Sequence, residues 1–205
     1  METLRERYAE NTRRTLLDTG LCLFTERDYA DVSAEELVRT AGLTRGALYH
    51  HFNGKPGLFE AVFEELERQA TRDIRAAIAP VADLRERAYR AVDAFLDICA
   101  GHAYRHIVLQ QGPIALGWQR WRELDQLHLG GIVLDIVDAA LDAGRMRPHP
   151  AALVARAFYG ALTELSITIT EADEPEKARA QAAELVRDLI AGVVSDGGPP
   201  SVRNY

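Results

Sequence analysis

Apolar residues along this chain return every three or four positions, and no stretch alternates strictly between turn clusters. The pattern predicts helices from one end to the other. Leu16, Leu17, Leu23 and Phe24 form a stripe on a first helix over about 4–26. Cys22 lies within that pattern and is expected to be buried and inert, like Cys99 further on. Ser33 followed by Glu36 reads as a capping box: the serine accepts from the Glu36 amide and the glutamate reaches back to the cap amide. Leu37, Val38 and Ala41 form the buried face of this second helix, and Gly42 stops it. Thr44 is the expected N-cap of a short third helix ending near Phe52, with Leu48 and Phe52 facing inward. Asn53-Gly54 is a turn, and Pro56 suits the first turn of a fourth helix that carries Leu58, Phe59, Val62, Phe63 and Leu66 to about Ile78.

The same periodicity predicts a helix over about 83–100 and a shorter one over 104–111, interrupted at Gly112-Pro113. A long helix follows over about 114–143, which Gly117 and the Gly130-Gly131 pair can bend or break, and which Gly144 closes. Pro150 and Pro175 open the last two helices, and 196–205 is expected to be a frayed tail. The fold class is therefore all-α, with about nine helices.

Composition narrows the field. Of 205 residues 47% are apolar, enough for a core without disulfide or metal staples. No run approaches 18 apolar residues, so no membrane span is expected. The charged N-terminus lacks an apolar stretch typical of secretion signals, and two cysteines cannot build a disulfide framework, so the expected location is cytoplasmic. The net charge of −7 argues against a protein that coats nucleic acid without selectivity. The charge is unevenly spread: residues 1–59 hold eight basic and nine acidic side chains, so the remainder carries almost all of the acidity.

The informative stretch is 32–59. Two short helices joined by a tight turn at Gly42 have the layout of a helix-turn-helix, whose second helix enters the DNA major groove. Side chains not needed for packing there are Thr44, Arg45, Tyr49, His50 and His51, while Gly46 and Ala47 let the helix backbone approach base edges. Arg45 can bind guanine through two hydrogen bonds, and Ala47 can touch a thymine methyl. Lys55 and the Ser33 end of the second helix lie at helix N-termini, which favour phosphate.

Other chemistry is thin. There is no nucleophile with a base, no glycine-rich phosphate loop and no three-ligand metal set, so no catalytic residue, metal or cofactor is expected and the chain is not read as an enzyme. His102 and His106 are spaced to grip a metal from one helix face but have no third ligand in register. Trp118 and Trp121 are either core or lining for a ligand cavity between helices, with Tyr104, His106, Gln110, Tyr159, Thr163 and Glu164 as its polar groups. The last two helices have broad apolar surfaces. Val154, Phe158, Ala161, Leu162 and Leu165 on one, with Ala182, Leu185 and Leu189 on the other, suit a two-fold four-helix interface; burial within one chain is the alternative.

The segments Ser33-Ala34-Glu35-Glu36-Leu37, Ala41-Gly42-Leu43-Thr44, Gly46-Ala47-Leu48-Tyr49-His50-His51-Phe52 and Lys55-Pro56-Gly57-Leu58 resemble the TetR/AcrR family of one-component transcriptional regulators, over about residues 10–65. The resemblance implies an N-terminal three-helix DNA-binding domain, a larger C-terminal helical bundle, and a homodimer on a palindromic double-stranded operator that a small-molecule effector weakens. It implies phosphate contacts from Tyr49, His51 and Lys55, with Arg45, Gly46, Ala47 and His50 nearest the bases. The implied organisation is a DNA-binding domain over 1–54, a ligand-binding and dimerisation domain over 55–195, and a flexible tail. The stretch 109–123 resembles a C-terminal subtype common in actinobacterial members, which usually has Asp where Gln111 stands. The alternative is a helical small-molecule-binding protein that makes no use of DNA.

Overall fold

A computed structural model describes residues 4–195, so the expected tail at 196–205 lies outside the described residues. The helices are α1 (Leu4–Glu26), α2 (Ala34–Ala41), α3 (Arg45–Phe52), α4 (Lys55–Ile78), α5 (Leu84–Ala100), α6 (Gly112–Ala115), α7 (Trp118–His128), α8 (Gly130–Asp142), α9 (Ala151–Glu171) and α10 (Pro175–Val193). A 3₁₀ turn at Tyr29–Asp31 follows α1, and a π-helical segment, Tyr104–Gln111, leads directly into α6. No strand occurs among the described residues, as the periodicity predicts.

The described residues form two compact units, one of residues 4–67 with 102–124, the other of 68–101 with 125–195. The division falls inside α4 and α7, whereas the expected functional boundary lies at 54/55.

In the first unit, Leu16, Phe24, Val32, Leu37, Leu48, Leu58, Phe59, Val62 and Ile107 are fully or almost fully buried together. Aromatic edges meet faces here: the Phe24 and Phe59 rings lie 5.1 Å apart and the Tyr29 and Phe59 rings 5.0 Å. The cap chemistry follows the sequence closely. Ser33 Oγ accepts from the Glu36 amide at 3.1 Å, and Thr44 Oγ1 accepts from the Ala47 amide at 3.2 Å. Gly42 takes φ 66°, a left-handed conformation that lets its amide and that of Leu43 return to carbonyls of α2.

Several expectations change. The glutamate half of the capping box goes elsewhere: Glu36 Oε1 pairs with Arg27 Nη1 at 2.6 Å. Cys22 is exposed, because the inward stripe of α1 passes through Leu16, Leu17, Gly20 and Phe24 and leaves position 22 on the outer face; Cys99 is buried. Gly112-Pro113 does not interrupt the helix at 104–111, which widens to π geometry and continues into α6. In π geometry the carbonyl of Val108 looks to the amide five residues on, and that residue is Pro113, which has no N–H. The Trp121 indole N–H donates to this carbonyl at 2.9 Å. The long helix over 114–143, by contrast, breaks where its glycines allow: Gly117 takes a left-handed turn at φ 78° between α6 and α7, and Gly130 opens α8.

In the second unit, α5, α8, α9 and α10 pack together through Val92, Phe95, Leu96, Ile132, Val137, Leu162, Val186 and Ile190. Arg187 and Asp93 tie α10 to α5 at 2.6 Å, and Arg75 and Asp135 tie the end of α4 to α8 at 2.9 Å. The inward face of α9 carries Ala155, Tyr159, Leu162, Thr163, Ser166 and Ile169. Its two aliphatic hydroxyls are satisfied locally: Thr163 donates to the Tyr159 carbonyl at 2.9 Å and Ser166 to the Thr163 carbonyl at 2.7 Å. By length and composition α9 reaches the span of a membrane helix, beyond what the sequence reading allowed; in this fold it packs on α8 and α10.

Candidate nucleic-acid interface

The two short helices form a helix-turn-helix, and packing decides what the second one presents. Leu48 and Phe52 on α3 are buried, which turns the opposite side outward. Thr44, Arg45, Gly46, Tyr49 and His50 are exposed there, with Ala47 and His51 half-buried beside them. Every α3 residue expected to approach DNA thus lies off the buried face. Ser33 is also exposed, its hydroxyl committed to the cap of α2.

Arg45 is already engaged. Its Nη1 lies 2.6 Å from Glu35 Oε1 on α2, and its guanidinium carbon stands 5.5 Å from the centre of the Tyr49 ring. The Tyr49 hydroxyl, and then the Glu35 carboxylate, hold the guanidinium pKa above its ordinary value. The His51 imidazole is pushed below its usual range, first by burial and then by the neighbouring His50 and Arg13. The His50 and His51 rings meet edge to face at 5.0 Å.

Lys55 has a different setting from the one expected. Its Nζ donates to the carbonyls of Tyr29 and Val32, both at 2.9 Å, and lies 4.0 Å from the centre of the Tyr29 ring. Burial lowers its pKa, with Asp31 opposing. The ammonium therefore ties the start of α4 to the turn before α2. Lys55→Met is expected to cost roughly 1.5–3 kcal/mol of stability, because two carbonyls lose a charged donor. It should leave the salt dependence of DNA binding unchanged, whereas a phosphate-contacting lysine would flatten that slope. Denaturant titration reads the first quantity and binding at several salt concentrations the second.

The same turn is held from its other side by Gln111, which sequence reasoning singled out only as a departure. Its Oε1 accepts from the Tyr29 amide at 3.0 Å and its Nε2 donates to Asp28 Oδ1 at 3.0 Å. An Asp at this position would accept from the amide but could not donate to Asp28, so the amide side chain suits this partner. His106 stands 3.5 Å from the same Asp28 oxygen and 3.3 Å from Gln110 Oε1. Glu35, Asp28 and Gln111 are the positioning residues the sequence did not reveal, since their partners lie 10 to 83 residues away.

The eight residues proposed for a ligand cavity are not brought together in one unit. Tyr104, His106, Gln110, Trp118 and Trp121 belong to the first, and Tyr159, Thr163 and Glu164 to the second. Trp121 is fully buried and Trp118 is 57% exposed beside Arg122. The Tyr104 hydroxyl donates to buried Glu67 at 3.0 Å, and the Tyr159 hydroxyl donates to the Asp125 carbonyl at 3.1 Å. Glu164 is exposed. His102 and His106 stack at 6.2 Å, and no group of three metal-ligating side chains occurs among the described residues.

Two family models cover this architecture. Residues 16–62 match bacterial regulatory proteins of the tetR family, and residues 85–193, more than half of the chain, match the tetracyclin repressor-like C-terminal domain. The chain belongs to the TetR family. A TetR-family transcriptional regulator from Pectobacterium atrosepticum has the same fold, with a TM-score of 0.80, 30% identity, and coverage of 92% of this chain and 96% of that one. The Transposon Tn10 TetC protein of Escherichia coli is 23% identical over 88% of this chain and 91% of its own length. Over 54 residues, 26% of this chain and 25% of the relative, identity with the HTH-type transcriptional regulator SrpR of Pseudomonas putida rises to 43%. This TetR-family chain is thus a transcriptional regulator with an N-terminal DNA-binding helix-turn-helix, from a family that is not enzymatic and that acts on operator DNA as dimers.

Proposed function

We propose that this TetR-family protein is a cytoplasmic homodimeric repressor that leaves a palindromic operator when a small molecule binds its C-terminal domain. The observation that carries the DNA-reading half is the exposed row on α3, fixed from below by buried Leu48 and Phe52 and at its start by the Thr44 cap. Residues 1–54 read DNA, with Arg45, Gly46, Ala47 and His50 nearest the bases and Thr44, Tyr49, His51 and Ser33 on the backbone. Lys55 and Gln111 act one step back, by positioning the turn that precedes α2.

The dimer reading is supported by apolar surface that the single chain leaves open. Leu185, Leu189 and Val193 on α10 are 40–49% exposed, and Val154, Phe158, Ala161 and Leu165 on α9 are half-buried. Leu162 and Ala182, also expected there, are buried within the chain. In a two-fold dimer the recognition helices would stand about 34 Å apart, one turn of DNA. A ligand shifts this state only by binding the released state more tightly.

Selection of genomic fragments on the purified protein at about 0.15 M salt tests the reading. Recovery of one palindromic site is expected; no retention even at low salt would favour a ligand-binding protein without a DNA role. On the recovered site, Arg45→Ala should lose about 1–3 kcal/mol of discrimination at one base pair while non-specific affinity changes less. Loss spread evenly over all sequences would remove Arg45 from base reading.

A further inference from the structure

The second unit contains a cavity of a chemistry that narrows its occupant. Its free interior volume is about 80 Å³, room for a slender apolar group rather than a bulky one. Its walls come from Ile74 near the end of α4 and from α5, α8, α9 and α10, with Phe95, Val137, Leu162 and Val186 among them. No charged side chain lines it among the described residues. Tyr159 is the lining residue with a hydroxyl, and that hydroxyl donates to the Asp125 carbonyl. A ligand group placed inside finds little to hydrogen-bond, so a polar or charged group there would lose its hydration without return.

One end of this cavity is different. Met146, Val193 and Val194 also line a second hollow, whose wall includes Arg147 and His149. The segment that separates the two is clamped by cations that are therefore already used: Arg85 donates to the Val194 carbonyl and Arg145 to the Ser195 carbonyl. Arg147 is exposed and makes no ion pair among the described residues. An apolar cavity thus adjoins a hollow with an uncommitted guanidinium and an imidazole.

We infer that the effector is an anionic amphiphile, an unbranched acyl chain seated in the apolar cavity with its negative head against Arg147 and His149. This deepens the repressor reading and rests on it for the consequence, though not for the binding. A free carboxylate and an acyl thioester of an anionic carrier share the chemistry. The experiment distinguishes the two.

The test is calorimetric titration of the full-length protein, without DNA, using straight-chain saturated carboxylates of increasing length and the matching primary alcohols, each below its micelle threshold. Affinity should rise about three- to fourfold with each added methylene until the cavity is full, then level off. The carboxylate should bind about tenfold tighter than the alcohol of equal length. Arg147→Gln, a change of an exposed side chain that should fold normally, is expected to remove most of that preference while keeping the dependence on length. Ala91→Phe, which projects a ring into the cavity from half-buried α5 surface, should shorten the length at which affinity levels off. If this variant unfolds, the alcohol series on Arg147→Gln still reads the apolar half alone. Binding independent of chain length, equal affinity for carboxylate and alcohol in the wild type, or no binding at all would overturn the inference. A coenzyme A thioester series run in parallel assigns the head: tighter thioester than carboxylate binding points to the carrier-linked form. Carboxylate binding that fails to release operator DNA would sink the effector role and leave the site. Release by other compounds with no carboxylate or thioester binding would sink the site and leave the repressor.

Discussion

Gly57→Ala is expected to unfold the DNA-binding helices under conditions where the wild type is stable, at a cost of at least about 3 kcal/mol. A Cβ built at Gly57 would lie 1.7 Å from the backbone oxygen of Phe52 and 2.9 Å from its carbonyl carbon. Neither atom belongs to a flexible side chain. Phe52 ends α3, and the chain then reverses through Asn53 at φ 58° and Gly54 at φ 96°, which brings the first turn of α4 onto the last carbonyl of α3. Relief requires the two helices to separate by more than an ångström, and with them buried Leu48, Phe52 and Leu58. Gly46→Ala is the control. Its Cβ would meet nothing closer than Thr44 Oγ1 at 3.7 Å, and alanine in a helix gains roughly 0.5–1 kcal/mol over glycine. That variant should keep or raise the unfolding midpoint and yet lose operator affinity, since its methyl group sits on the side offered to DNA. A Gly57→Ala protein with wild-type thermal unfolding and DNA binding would show that the junction is not the constraint argued here.

These two glycines show what a sequence carries and what it withholds. Local chemistry was legible. Ser33, Thr44, Gly42 and the Asn53-Gly54 turn each set backbone geometry within a few residues, and each stands where the pattern put it. Exposure on α3 was legible too, because two apolar side chains at i, i+4 leave only one way to face. What depends on a distant partner was not. Lys55 has a helix N-terminus as its nearest neighbour in sequence, but its ammonium goes to carbonyls 23 and 26 residues back. Glu36 satisfies the local rule for a capping box and is claimed by Arg27. Cys22 sits beside stripe residues and still faces out, since the stripe on α1 runs through Gly20, where an added Cβ would lie 3.2 Å from the Leu58 and Val62 side chains. The proposed ligand residues divide between two units for the same reason: helical spacing places a side chain on a face, and only packing chooses what that face meets.

The tryptophan pair is where the two readings of one motif part. Trp121→Ala should lose about 3–5 kcal/mol, the cost of emptying a fully buried aromatic site. Trp118→Ala should stay within about 0.5 kcal/mol of wild type, because that ring is largely solvated. The reason for the asymmetry lies in the π-helical segment. Pro113 cannot answer the Val108 carbonyl, and the Trp121 indole does so at 2.9 Å while its ring fills the space above Gly112. A Cβ at Gly112 would come within 2.8 Å of that ring, so the small residue and the large one fit as a pair. Trp121→Phe separates the two contributions. It keeps most of the apolar contact, leaves the carbonyl of Val108 without the indole donor, and should cost about 1–3 kcal/mol. If Trp121→Phe were neutral while Trp121→Ala remained costly, volume alone would hold the site and the Val108 carbonyl would be satisfied otherwise. The same variants bear on function through Gln111, which lies in the same π-helical segment and anchors the turn at Tyr29. Loosening this segment at Trp121 should weaken operator binding in parallel with stability, and Trp118→Ala should change neither.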